Sequence, residues 1–190
     1  MKHQLKKYMN RYASFSDKEV DLFFTYLEVN TYSKKDVLLN VNQVCKHHYF
    51  IIEGLLRAHY INEKGNDKTI QFAIENWWIT NLESYVRETP STFIIDALEK
   101  SIILSISKEN LEKAFVQIPK LERLFRKIAE NTLIAIQRKN EYYLNLSSKE
   151  RFITLLESIP DFLQRVPMYM IASYLDMTPE YLSEIRKSIS

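Results

Sequence analysis

The stretch VPMYMIASYLDMTPEYLSEIRKSI, residues 166–189, decides the fold. Pro167 opens a helix that runs through Leu175, and Asp176-Met177 is a short turn. Thr178 is a good N-cap because its hydroxyl accepts from an unpaired backbone N–H. Pro179 then sits at N1 and Glu180 at N2, where a carboxylate suits the helix dipole. A second helix runs from Pro179 towards Ser190. Two helices crossing steeply need a small residue at their closest approach, and Ala172 supplies it. Ile171, Leu175, Met177, Leu182 and Ile185 stand at the spacing that locks such a pair. The turn needs a residue that tolerates a left-handed backbone, and Asp176 does. These constraints read together as a helix-turn-helix. The alternative is an ordinary helical hairpin in which Ala172 is simply a small core residue.

With Leu182 and Ile185 turned inward, Glu180, Ser183, Glu184 and Lys187 lie on the outer face, flanked by Tyr181 and Arg186. Thr178 stands at the start of the same helix. A helix of this kind enters a major groove with such residues foremost. Glu180 would accept from a cytosine amino group, and Ser183 would bond to more than one base. Lys187 and Arg186 would neutralise phosphates. The alternative is a solvated helix face with no partner.

Upstream, Ser147 and Glu150 form a capping box for a helix whose stripe is Phe152, Leu155, Leu156 and Ile159, ended by Pro160. Before it, Pro119 opens a long helix as an N1 residue and runs to about Leu146, roughly 42 Å. One of its stripes holds Leu121, Phe125, Ile128, Thr132 and Ala135; the other holds Ala129, Leu133, Ile136 and Tyr143. A helix apolar on two sides needs two partners. One is the domain before it and the other is the same helix of a second subunit, with the first stripe as the dimerisation seam. The alternative is burial wholly within one chain. Ser107 caps a shorter helix that reaches Ile118.

Between about Thr31 and Ile106 the pattern changes to short β-type runs: Val37 to Leu39, Tyr49 to Ile52, Leu56 to Ile61, Thr69 to Ile74, Phe93 to Ile95 and Ile102 to Ile106. Ile70, Phe72 and Ile74 are expected on one face, Gln71 and Ala73 on the other. Asn62 to Asn66 is a polar hairpin turn around Gly65. Many short strands separated by turns indicate a small antiparallel barrel or jelly roll. A helix over residues 16–30 precedes them, with Ser16 and Glu19 as a capping box and Val20, Phe23, Phe24 and Leu27 at helical spacing. The fold class is therefore α+β. An N-terminal antiparallel β-roll occupies residues 1–118, a long central dimerisation helix 119–146, and a helix-turn-helix domain 147–190.

Composition removes several classes of function. The chain has 190 residues with a net charge of +2, from 26 basic and 24 acidic side chains. Before and after Ser107 the basic and acidic counts are 13 and 13, then 13 and 11, so bulk charge does not announce a nucleic-acid binder. Two glycines leave no room for a phosphate-binding glycine loop. A single cysteine, Cys45, excludes an internal disulfide, a four-cysteine zinc site and a self-contained iron–sulfur cluster. Without a secretory signal or an 18-residue apolar run, the expected location is the cytoplasm.

The order of a β-roll, a long helix and a C-terminal helix-turn-helix resembles the Crp/Fnr family of bacterial transcription regulators. The best local matches are IASYLDMTPEYLSEIRK (171–187), YFIIEGLLRAHY (49–60), with its strand-turn-strand around Gly54 and Arg57, and KERFITLLESIP (149–160). The resemblance implies a homodimer on a palindromic operator in double-stranded DNA. It also implies a small-molecule effector of unassigned identity held by a cyclic-nucleotide-binding-like roll, with RNA polymerase as a further partner. The cyclic-nucleotide members carry a Gly-Glu and an Arg-Ser or Arg-Thr pair in the roll. Here the matching stretch, WWITNLESYVRETPST (77–92), has no glycine, so cyclic AMP is not the expected effector. Where the family often carries arginine on its reading helix, this chain has Pro179 and Glu184. Asp161 to Val166 leaves little room for a β wing.

Trp77, Trp78, Tyr85 and Arg87 are the candidate lining of an effector pocket, with barrel core or a dimer contact as the alternative for the aromatic rings. His47, His48 and His59 lack the HxH spacing of a metal-binding cupin, and adjacent strand residues face opposite ways, so no metal is expected. No catalytic residues and no cofactor are expected, and Asp96 and Glu99 show no acid–base setting. Two readings remain. One is a sequence-specific DNA-binding regulator. The other is an effector-sensing or protein-interaction module that kept the fold and lost DNA binding.

Overall fold

The computed structural model describes residues 1–159 and 161–189. Helices α1 (Lys2–Met9) and α2 (Asp17–Thr25) precede strands β1 (Glu28–Tyr32), β2 (Val37–Leu39), β3 (His47–Glu53), β4 (Leu56–Ile61), β5 (Asp67–Ala73) and β6 (Trp78–Ile79). Helix α3 (Leu82–Arg87), strands β7 (Ile94–Ala97) and β8 (Ser101–Ser107), and helices α4 (Lys108–Gln117) and α5 (Lys120–Asn145) follow. The chain continues with α6 (Ser148–Ser158), α7 (Phe162–Arg165), α8 (Met168–Leu175) and α9 (Pro179–Ile189). The strand runs expected from the sequence map onto β2, β3, β4, β5, β7 and β8, while Pro160, expected to end a helix, and Ser190 lie outside the described residues.

Two antiparallel sheets, ordered β1-β8-β3-β6 and β2-β7-β4-β5, pack face to face as the roll. Between them lies a core built on Tyr49, Ile51, Leu56, Ala58, Ile95 and Ile103. The β3–β4 turn depends on Gly54, whose φ of +106° suits glycine and whose position leaves no room for a Cβ beside Ser101. The outer face of the first sheet carries α1, α2, α4 and the start of α5 through Leu5, Phe23, Phe50, Leu111, Leu121 and Leu124. The third core joins Leu55, Phe72 and Leu98 of the roll to Phe152, Phe162, Ile171, Leu182 and Ile185 of the C-terminal helices.

Local signals explain most helix starts. Ser16 with Glu19 and Ser147 with Glu150 form complete capping boxes, and Ser107 accepts from Asn110 N. Three expectations need correction. The helix expected over residues 16–30 stops at Thr25, because Glu28 to Tyr32 pair with β8 as an edge strand. Pro119 stands just before the first helical residue rather than within the helix. The alternation of β5 breaks at a bulge beside Ile70, which packs on the roll interior while Phe72 faces the C-terminal helices.

Candidate functional site

Helices α8 and α9 meet across Asp176, whose φ of 61° and ψ of 46° are left-handed as its role in the turn requires. Thr178 Oγ1 accepts from Tyr181 N at 3.2 Å, completing the N-cap. Ile171, Ala172, Leu175, Leu182 and Ile185 are buried, and Met177 packs against the same cluster. Thr178, Glu180, Tyr181, Ser183, Glu184, Arg186 and Lys187 are all exposed, so the candidate reading residues share one accessible helix. Ser183 Oγ donates to Pro179 O at 2.8 Å and keeps its lone pairs for an outside donor.

The roll grips this helix pair. Arg165 donates to Glu75 Oε1 at 2.8 Å and to Glu99 Oε1 at 2.6 Å, bridging α7 to the roll. Both carboxylates fasten it, and hydrogen bonding to Glu99 above all raises the guanidinium's pKa. Thr69 N donates to Ser173 Oγ at 3.0 Å, Lys68 pairs with Asp176, and Phe72 packs edge-on to Phe162 with centroids 4.9 Å apart. Residues 65–67 of the β4–β5 hairpin and residues 178–180 share a cleft. Arg165 drew no notice in the sequence, because its partners lie 90 and 66 positions away.

The dimerisation stripe divides. Leu121 is fully buried in its own chain's core and has no surface to give a partner. Phe125 and Ile128 are half-buried against the same core, whereas Thr132 and Ala135 are exposed. Leu133, Ile134 and Ile136 add exposed apolar surface on the same stretch.

The four effector-pocket candidates do not converge. Arg87 stands out on α3 with a 70% exposed side chain and pairs with Glu83. Trp77 is exposed, while Trp78 packs on Phe50 and Phe125. Tyr85 is buried on His48, with ring centroids 4.3 Å apart. Ser91 Oγ is taken up by Asn81 and by Phe93 O. Asn81 caps the short helix α3 and Arg87 stands in its last turn, held at the surface beside Glu83. What the roll does offer is a groove of about 260 Å³ against α5, lined by His48, Trp78, Leu82, Phe125 and Thr132. Burial lowers His48 to about 4, so it is neutral at ordinary pH.

Arg57 does not face that groove. It is buried on the roll's other sheet, donating to Asp96 Oδ2 at 2.8 Å and pairing with Asp67 at 3.0 Å. Burial alone would raise Asp96, but hydrogen bonds from His59 and Arg57 more than offset it and hold the carboxyl below its usual range. Asp96 and Glu99 are thus each tied to an arginine. Cys45 is buried beside Thr80 and His47 O.

The model of the cyclic nucleotide-binding domain family matches residues 29–117, the span from β1 through α4. The c-di-GMP responsive global regulator CLP from Xanthomonas campestris superposes with a TM-score of 0.72 at 13% identity, covering 92% of this chain and 91% of that one. FixK2 from Bradyrhizobium japonicum gives a TM-score of 0.69 at 17% identity, over 86% of this chain and 84% of that one. The order of roll, long helix and C-terminal helices is shared with these solved structures. CooA from Carboxydothermus hydrogenoformans, in a mutant form, superposes with a TM-score of 0.69 at 16% identity, over 87% of this chain and 77% of that one. No match was found among curated proteins. No helix among the described residues is long and apolar enough to cross a membrane.

Proposed function

We propose that this chain is a sequence-specific DNA-binding transcription regulator that works as a homodimer in the cytoplasm. In this reading residues 1–118 sense an effector, 119–146 dimerise and 147–190 read a palindromic operator, with RNA polymerase as a further contact. The observation that carries it is the α8–α9 pair: a left-handed Asp176, a buried lock of Leu182 and Ile185, and an exposed face of Glu180, Ser183, Glu184 and Lys187. Pairing through the exposed part of α5 sets two such helices side by side, so half-site centres fall about 34–36 Å apart. Glu180 and Glu184 favour cytosine amino donors over guanine acceptors. Selection of binding sequences from random DNA, followed by gel shift across a salt series, tests the reading. Inverted repeats with a steep salt dependence are expected. Selected sequences without dyad symmetry count against it.

A second reading, a sensor or interaction module without DNA binding, draws on those same two carboxylates, which a phosphate backbone repels. Absence of any shift at low salt would favour it.

We further propose that cyclic AMP is not the effector. A cyclic phosphate needs an arginine and convergent N–H donors. Arg87 points to solvent beside Glu83, Arg57 is occupied by Asp96 and Asp67, and the Ser91 hydroxyl is committed to Asn81 and Phe93. Losing a charged hydrogen bond costs about 1.5–3 kcal/mol, enough to carry binding out of the micromolar range. Saturable calorimetric binding of cyclic AMP below about 10 μM would contradict this.

A further inference from the structure

We propose that the cavity where the roll, α5, α6 and α8 meet binds a small organic anion: a carboxylate carried on a compact apolar body. The cavity holds about 200 Å³ and is separate from the groove beside His48. Phe72 and Trp77 wall it from the roll, and Tyr143 and Tyr174 from the helices. A dry apolar cavity of about 150 Å³ admits a benzene ring, so this one has room for a ring with a short substituent.

Two cations border these apolar walls, Lys139 of α5 and Arg151 of α6. Lys139 Nζ stands 4.0 Å over the Tyr174 ring and donates to Ile70 O at 3.1 Å. The Arg151 guanidinium lies 4.7 Å over the Tyr143 ring and donates from Nη2 to Ser148 Oγ at 3.2 Å, while its Nε is buried without an acceptor. Among the described residues, neither cation has a carboxylate partner within ion-pair distance. Asp176, which Arg151 influences from farther away, is already paired with Lys68. Burial, helped by repulsion from Lys68, lowers Lys139 to about 8. Partly buried charge without counter-charge is costly, and a carboxylate on an apolar body supplies both what the cations and what the rings lack.

The binding claim stands apart from the DNA-binding reading, and only its regulatory consequence rests on that reading. An occupant would touch the roll, the dimer helix and α8 at once, fixing how the reading helix is held. Calorimetry on the full chain, with benzoate and 3-phenylpropanoate against their neutral amides, tests it. The acids are expected to saturate near or below about 1 mM, with the amides about tenfold weaker. Trp77 lines the cavity and should report the acids by a fluorescence change. Lys139→Met and Arg151→Gln should each weaken the acids at least about fivefold without lowering the melting temperature. Acids that bind no better than amides overturn the proposal on the unmutated protein, even if a variant fails to fold. Undiminished acid binding by the folded double variant overturns it too, and so does inorganic phosphate that competes as well as benzoate. Saturable, cation-dependent acid binding with unchanged DNA affinity supports the site and removes only its regulatory consequence.

Discussion

The two halves of α5 both carry apolar residues at helical spacing and have opposite surroundings. In the first, Leu121 and Leu124 are fully buried, and Phe125 and Ile128 rest half-covered on the core of the roll and α4. In the second, Leu133 is 58% exposed, Ile136 53% and Leu144 84%. There the chain's own helices cover one side only, through Tyr143, which donates to Tyr174 O, and Lys139. A helix apolar on two sides thus finds both partners at its start and one towards its end. Contiguous exposed apolar surface is what an association site offers, and in the homodimer proposed above the second half receives the second copy.

The largest effect should come from charging the first half. Leu124→Asp places a carboxylate in the apolar core and should cost about 4–5 kcal/mol or more. Chemical denaturation should show a chain largely unfolded. A stable, folded variant would mean that the first half is not part of the core.

Charging the second half should do something different. Leu133→Glu with Ile136→Glu puts four carboxylates into a two-fold seam, and light scattering should find a folded monomer at micromolar concentration. Ile128 is a poor place for this test, since it packs on its own chain. If the unmutated protein is already monomeric there, the second half has another partner.

The sequence made these local decisions readable and left the long-range ones hidden. Ser16 with Glu19, Ser147 with Glu150, Ser107, and Asp176 in its turn act within four residues, and each stands as the pattern predicts. The exposed reading face follows from the same short-range spacing. Helix α1 carries three lysines in eight residues and earns its place through Leu5, Tyr8 and Met9 packing on the roll, which no short window shows. Strand β6 has two residues and exists because β3 pairs with it. Periodicity put Leu121 and Ala135 on one stripe but could not tell that the roll claims one and leaves the other open. Lys139 did leave a signal: it lies four residues from both Ala135 and Tyr143, on an apolar face where a cation is out of place.

Acidification should act on the first half alone. Phe125 rests on His48, with ring centroids 5.7 Å apart, and burial lowers that imidazole from 6.5 to about 4. The unfolded chain takes up the proton first as pH falls below 6.5. Stability contributed by neutral His48 is therefore full above that value and lost progressively towards pH 4, by at most about 3 kcal/mol. His48→Phe should flatten this part of the stability profile. The monomeric double variant should keep the same dependence, because its changes lie beyond Phe125. A pH profile unaffected by His48→Phe would remove the imidazole from the contact.

The smallest effect joins the second half to its purpose. If the seam sets two reading helices on one operator, every phosphate contact is counted twice. Lys187 is exposed near the end of α9, where it can reach a phosphate without touching a base. Each phosphate contact adds about 0.9 to the slope of log affinity against log salt. Lys187→Ala should therefore lower that slope by about 1.8 in the dimer and by about 0.9 in the monomeric double variant. Gel shifts at several salt concentrations, with protein folded in every case, measure both differences. Equal losses in the two backgrounds would mean that one reading helix meets the DNA at a time, and the seam would then have some use other than setting a pair.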